Sequence, residues 1–201
     1  MFRKLSILFV IGLLAFTAAC SSSASSTSAA SAGGAGASAV ATATPAACPT
    51  SNTKSFAKTR FVADVALAGG AFKRYIYTPA KSGKFQKGAK GKVTALIKAA
   101  AAGAFVVNRL NAAKNAAEAN PTLCKLLAQP VAKFSAAVSG LVGQAKGGLG
   151  SINPSDVDGG NGALSDLHGA ASQGGAAFTD NTNTSAMSAR AHCGTTLNAF
   201  Q

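Results

Sequence analysis

Large apolar residues recur at three- and four-residue steps through the middle of the chain, and no alternating apolar–polar run is long enough for a strand. Phe61, Val65, Ala68, Phe72, Tyr75 and Ile76 fall on one face of a first helix over about 55–77. Gly69-Gly70 in its middle is expected to pack closely against a neighbouring helix, and Thr78-Pro79 reads as a break that also suits the cap of a new turn. Val93, Leu96, Ile97, Ala100, Ala104, Val107 and Leu110 mark a second helix over 92–119, ended by Asn120-Pro121. Leu123, Leu127, Val131, Phe134, Val138 and Leu141 mark a third over 122–144. Pro130 lies inside it and predicts a kink, because proline removes one backbone donor. Beyond Gly147-Gly148 the apolar pattern thins. Residues 150–162, rich in Asn, Pro, Asp and Gly, read as a loop. A weaker helix is expected over 163–178, carried by Leu164, Leu167, Ala171 and Phe178, and a short one from Ser185 to Cys193. The fold class that follows is all-α: a small antiparallel bundle of three main helices plus one or two weak C-terminal helices.

Ahead of this domain the pattern differs. Arg3 and Lys4 precede an apolar run from Leu5 to Ala19, which closes on Thr17, Ala18, Ala19 and Cys20. Basic, apolar, then small is the order of a secretory signal, and the run is short for a finished membrane span of about 20 residues. Residues 21–47 contain only Ser, Ala, Thr, Gly, Val and one Pro. Such a segment buries too little surface to offset chain entropy and reads as a flexible tether with an r.m.s. span of roughly 30 Å. The domain organisation expected is a signal peptide at 1–19, a tether at 20–47 and a helical domain at 48–201, with a firm core over about 55–149 and a looser part over 150–201.

Charge sharpens this division. The whole chain carries +13. Between Lys54 and Leu149 sixteen Lys and Arg face only Asp64 and Glu118, whereas after Gly150 Arg190 faces Asp156, Asp158, Asp166 and Asp180. The densest basic stretch is a glycine-rich loop with Lys81, Lys84, Lys87, Lys90 and Lys92, and Phe85 among them. The loop reads either as a solvated face that keeps the protein soluble or, since such charges contribute about 1 kcal/mol each near an anionic surface, as a contact for anionic lipid or a cell-wall polyanion. Specific nucleic-acid binding is not expected of an exported chain.

Little else resembles catalytic chemistry. Asp64 and Glu118 sit on different helices, which reads as surface charge and helix pairing. His168 and His192 are the only histidines, no Gly-x-Ser-x-Gly elbow occurs, and Asp166 and His168 are two apart and do not share a helix face. Asp156-Val157-Asp158-Gly159-Gly160-Asn161 opens like a calcium loop, but a glycine falls where a third ligand belongs and Leu167 stands at the twelfth position, so a turn is expected. No metal site and no cofactor is expected. Besides Cys20 the cysteines are Cys48, Cys124 and Cys193. An oxidising compartment favours pairing; Cys48 and Cys193, both in turn-like sequence near the domain's ends, are the expected disulfide, with Cys124 a small hydrophobe on a helix face.

Thr17-Ala18-Ala19-Cys20 resembles the lipobox of bacterial lipoproteins. That resemblance implies a diacylglycerol on the Cys20 sulfur and a protein held at the outer face of the cell membrane; ordinary cleavage and a soluble secreted protein is the alternative. Residues 59–77 resemble a segment of exported actinobacterial proteins, which implies a bacterial source and no activity. The function expected is a non-enzymatic binding or structural module for anionic envelope components, with a carrier of a small apolar or lipid ligand between the helices as the alternative.

Overall fold

A computed structural model describes residues 48–147 and 152–191. Cys20 and Cys193 therefore lie outside the described residues, as do the signal-like segment and the tether. Among the described residues the fold is all-α: α1 (Ala57–Phe72), a π-helical turn (Lys73–Tyr77), α2 (Thr78–Lys81), α3 (Lys92–Ala117), α4 (Pro121–Lys146), α5 (Pro154–Gln173) and α6 (Thr184–Ala191). α1 packs on α3, α3 on α4 and α4 on α5, and the π-turn touches α3 and α5, so the row folds back on itself as a bundle. The short link between α3 and α4 makes these two long helices antiparallel neighbours.

The apolar stripes read from the sequence form the core. Phe61, Phe72, Leu110, Leu127, Phe134 and Val138 are 0% exposed, and burying each large side chain contributes about 1.5–3 kcal/mol. Phe72 meets Phe134 edge to face at 5.3 Å. Alanine and glycine let the helices approach: a Cβ on Gly103 would overlap the Val142 side chain of α4. Pro130 lies within α4, which continues through it.

Four expectations are corrected. Thr78-Pro79 does not break the chain's helical course but opens the new turn that the sequence also allowed: α2 follows the π-turn directly and runs to Lys81. Residues 154–162 are the first half of α5, not a loop. Asn153 caps that helix, its side chain accepting from the Ser155 N–H at 3.1 Å, and Pro154 takes the first turn, where no backbone donor is required. Asp156 in the first turn favours the helix dipole. Val157, Gly160, Leu164, Leu167 and Ala171 then form a buried stripe, and Gly160 is needed because a Cβ there would press on the Phe72 ring. Asn120-Pro121 is the same device: the Asn120 side chain accepts from the Leu123 N–H at 2.9 Å and starts α4. Third, Gly69-Gly70 packs chiefly against non-helical chain, with Gly69 also facing the Leu164 side chain of α5. The chain after α5 crosses α1 there, with the Asn181 N–H donating to the Ala66 carbonyl at 2.8 Å, and a Cβ on Gly70 would overlap the Asn181 carbonyl. This strap is pinned by Asp180, which pairs with Lys73 at 2.6 Å and lies 3.1 Å from His168 Nε2.

The fourth concerns the disulfide. Cys48 is bonded to Cys124, not to Cys193, with Cα atoms 5.7 Å apart. The first turn of α4 brings Cys124 to the entry of the domain, and Thr53 adds a backbone bond to the Ala119 carbonyl at 2.9 Å. The chain entering α1 is thereby held against the α3–α4 corner.

Candidate anion-binding surfaces

Two basic surfaces emerge, and only one was visible in the sequence. The first is the lysine loop. Lys81 closes α2, turns occupy 82–91, and Lys92 opens α3. Gly91, with φ of 76°, is the left-handed residue from which α3 starts. Phe85 is 2% exposed and belongs to the hydrophobic core; it fastens the loop to the bundle and leaves Lys84, Lys87 and Lys90 outside. Lys81 pairs with Asp158 of α5 at 2.7 Å, and its hydrogen bond to that carboxylate raises its pKa. Among the described residues no ion pair is formed by Lys84, Lys87 or Lys90. Immediately after the loop, Val93 and Ile97, four apart on α3, are 59% and 62% exposed. The basic loop is thus followed directly in sequence by an exposed apolar pair.

The second surface is a cleft of about 500 Å³ between α1, α3 and α6. Arg60 and Asp64 reach it from α1, Arg109 from α3, Arg190 from α6, and Lys54 from the entry segment. Their placement follows from helical period: Ala57, Arg60 and Asp64 share one face of α1, and Arg109, Ala112 and Ala116 share one face of α3. Asp64 is 7% exposed. Burial pushes its carboxyl above the ordinary aspartate range, and the charges of Arg109, Arg190 and Arg60 pull the other way. Arg109 is clamped: Nη1 donates to Asp64 at 3.3 Å, Nη2 donates to Asn108 at 2.6 Å, and the guanidinium lies over the Phe105 ring at 5.7 Å. Its Nε–H is buried with no hydrogen-bond partner among the described residues. Arg60 and Arg190 are exposed and make no ion pair within 4 Å among the described residues. The cleft therefore gathers four cations around one carboxylate.

Sequence reasoning missed this cleft because its residues come from four separate segments. One signal was available: Asp64 lies three after Phe61 and four before Ala68, on the edge of the buried stripe. A carboxylate there must find a cation. The other acids are spent on pairing. Asp166 meets Lys133 at 2.6 Å and Asp158 meets Lys81, while Asp156 accepts from the Gln144 side chain; the calcium-like stretch is helix surface. His168 lies beside Asp180 and stacks on Phe178 at 4.0 Å, at the base of the strap. Among the described residues no group of three or more His, Cys, Asp or Glu is placed to hold a metal ion.

α3 and α4 are long and apolar enough, by length and composition, to cross a membrane. Their largest apolar side chains nonetheless build the bundle core: Phe105 and Leu110 on α3, Leu127 and Phe134 on α4. Comparison with protein-family models, with curated proteins and with solved structures found no match.

Proposed function

We propose that this is an exported cell-envelope protein, anchored by lipid on Cys20, whose basic helical domain acts by binding anionic envelope components and not by catalysis. The observation that carries the reading is the lysine loop. Lys84, Lys87 and Lys90 stand outward on a segment nailed down by Phe85, with no carboxylate bound to them among the described residues. Val93 and Ile97, which follow them in sequence, supply the apolar contact that strengthens a charged surface's hold on lipid. An anchored domain already resides at the membrane, so the lysines would set its orientation or recruit a polyanion.

Co-sedimentation of the domain with vesicles of anionic phospholipid tests the loop. The variant Lys81→Gln, Lys84→Gln, Lys87→Gln, Lys90→Gln should lose most of the bound fraction, and binding by the wild type should fall with added salt. Undiminished binding of the variant removes the loop from the function. Intact mass of the protein purified from membranes tests the anchor: acyl groups on a chain starting at Cys20 are expected, and a bare Cys20 terminus refutes it.

A further inference from the structure

We infer that the cleft between α1, α3 and α6 is a binding site for a small phosphomonoester, separate from the lysine loop and independent of the lipid anchor. The cleft's charge, the state of its arginines and its size carry this. Lys54, Arg60, Arg109 and Arg190 converge on one concavity with Asp64 as the single acid lining it among the described residues, which leaves about three positive charges unmatched there. Arginine forks match phosphate oxygens in pairs. A phosphomonoester carries about −1.5 to −2 charge at neutral pH and three acceptor oxygens, which suits several convergent arginines better than a single carboxylate does.

The state of Arg109 points the same way. Asp64 and Asn108 occupy its two terminal nitrogens, and the Phe105 ring covers a face. The guanidinium is therefore held in place without ligand. Arg60 and Arg190, exposed and without an ion pair within 4 Å among the described residues, are the adaptable arms.

Size and lining set the class of ligand. About 500 Å³ exceeds the needs of bare phosphate and lies in the range of small-molecule sites. Between the cationic heads the walls are Ala57, Ala63, Ala112 and Ala116, short side chains that leave room for a compact organic moiety. Phosphate on a three-carbon or sugar-sized group fits this description, whether free or at the head of a lipid.

Calorimetric titration of the reduced-salt and ~0.15 M salt protein with inorganic phosphate and with glycerol 3-phosphate tests the site. Saturable one-to-one binding is expected for both, tighter for glycerol 3-phosphate. Losing one charged hydrogen-bonding partner should weaken it about tenfold, so Arg60→Gln/Arg190→Gln should weaken it by more than that. Those two side chains are exposed, so the variant keeps the core; Arg109→Lys, which keeps the charge and removes the fork, gives a second reading. The loop variant Lys84→Gln/Lys87→Gln/Lys90→Gln should bind glycerol 3-phosphate as the wild type does. Vesicles containing phosphatidate distinguish the source: release of vesicle-bound Arg-intact protein by glycerol 3-phosphate, in the loop variant, marks a lipid head, and no vesicle binding by that variant marks a free phosphomonoester. Absence of saturable binding of either soluble probe, or equal binding by Arg60→Gln/Arg190→Gln, overturns the inference; loss in the loop variant alone assigns the anion binding to the loop.

Discussion

The lysine loop and the arginine cleft carry the same sign of charge on different supports. The loop's lysines follow one another in sequence on glycine-rich turns, and Lys84, Lys87 and Lys90 are exposed with no ion pair among the described residues. The cleft's arginines come from three helices, and Arg109 is fixed by a carboxylate, an amide and a ring. An exposed row of ammonium groups suits an extended anionic surface, where the gain is additive and screened by salt. One fixed guanidinium with two adaptable ones converging on it suits a compact oxyanion, where the gain depends on geometry. Local charge density alone therefore marks the first and says nothing of the second.

The largest test of this contrast is the disulfide. Cys48–Cys124 closes a loop of 76 residues, and removing such a link typically lowers stability by about 4 kcal/mol. Cys48→Ser/Cys124→Ser should show this in urea denaturation. It should also free the segment carrying Lys54 and weaken glycerol 3-phosphate binding, while vesicle binding through the loop persists.

A smaller effect is expected at Gly70. Alanine there would overlap the Asn181 carbonyl of the strap that leads to α6 and Arg190. Forcing that backbone to shift should lower stability by about 1–3 kcal/mol, read as a lowered urea midpoint. Phosphate binding should fall with it and vesicle binding should not. Parallel loss of both would mean the two surfaces are coupled.

The smallest effect is a pH dependence. The Asp64 pKa is raised in the folded protein, chiefly by burial. Its protonation therefore favours the fold: that contribution is fully present below the unfolded aspartate value and is lost as pH rises through the higher folded value. The difference in melting temperature between wild type and Asp64→Asn should change across that acidic window and be constant near neutrality. At neutral pH the same variant should bind phosphate more tightly, because the cleft loses its one negative charge while Arg60 and Arg190 remain.

The legible parts were those whose signal is local. The stripes of α3 and α4 are repeated at every turn, so their extents of Lys92–Ala117 and Pro121–Lys146 fall within a few residues of the periodicity. The same is true of the turns at 82–91, where glycines interrupt the lysines. The reading failed where a local signal has two meanings. Asn153-Pro154 ends a helix or starts one, and Gly159, Gly160 and Gly162 argue against a helix by propensity, although the Phe72 ring requires the missing Cβ at Gly160. For Gly69-Gly70 a close approach was foreseen, but the partner is the strap, more than a hundred residues further along the chain.

By itself, then, the sequence determined the all-helical class, the core stripes, and a basic loop between the first two long helices, because each depends on residues three or four positions apart. Only the tertiary structure decided that Cys48 pairs with Cys124, that residues 154–162 are helical, and that Lys54, Arg60, Arg109 and Arg190 share a cleft with Asp64. Each of those depends on which segments the packed bundle brings together. No local period encodes that, because the free energy that selects it comes from burial shared among all the helices.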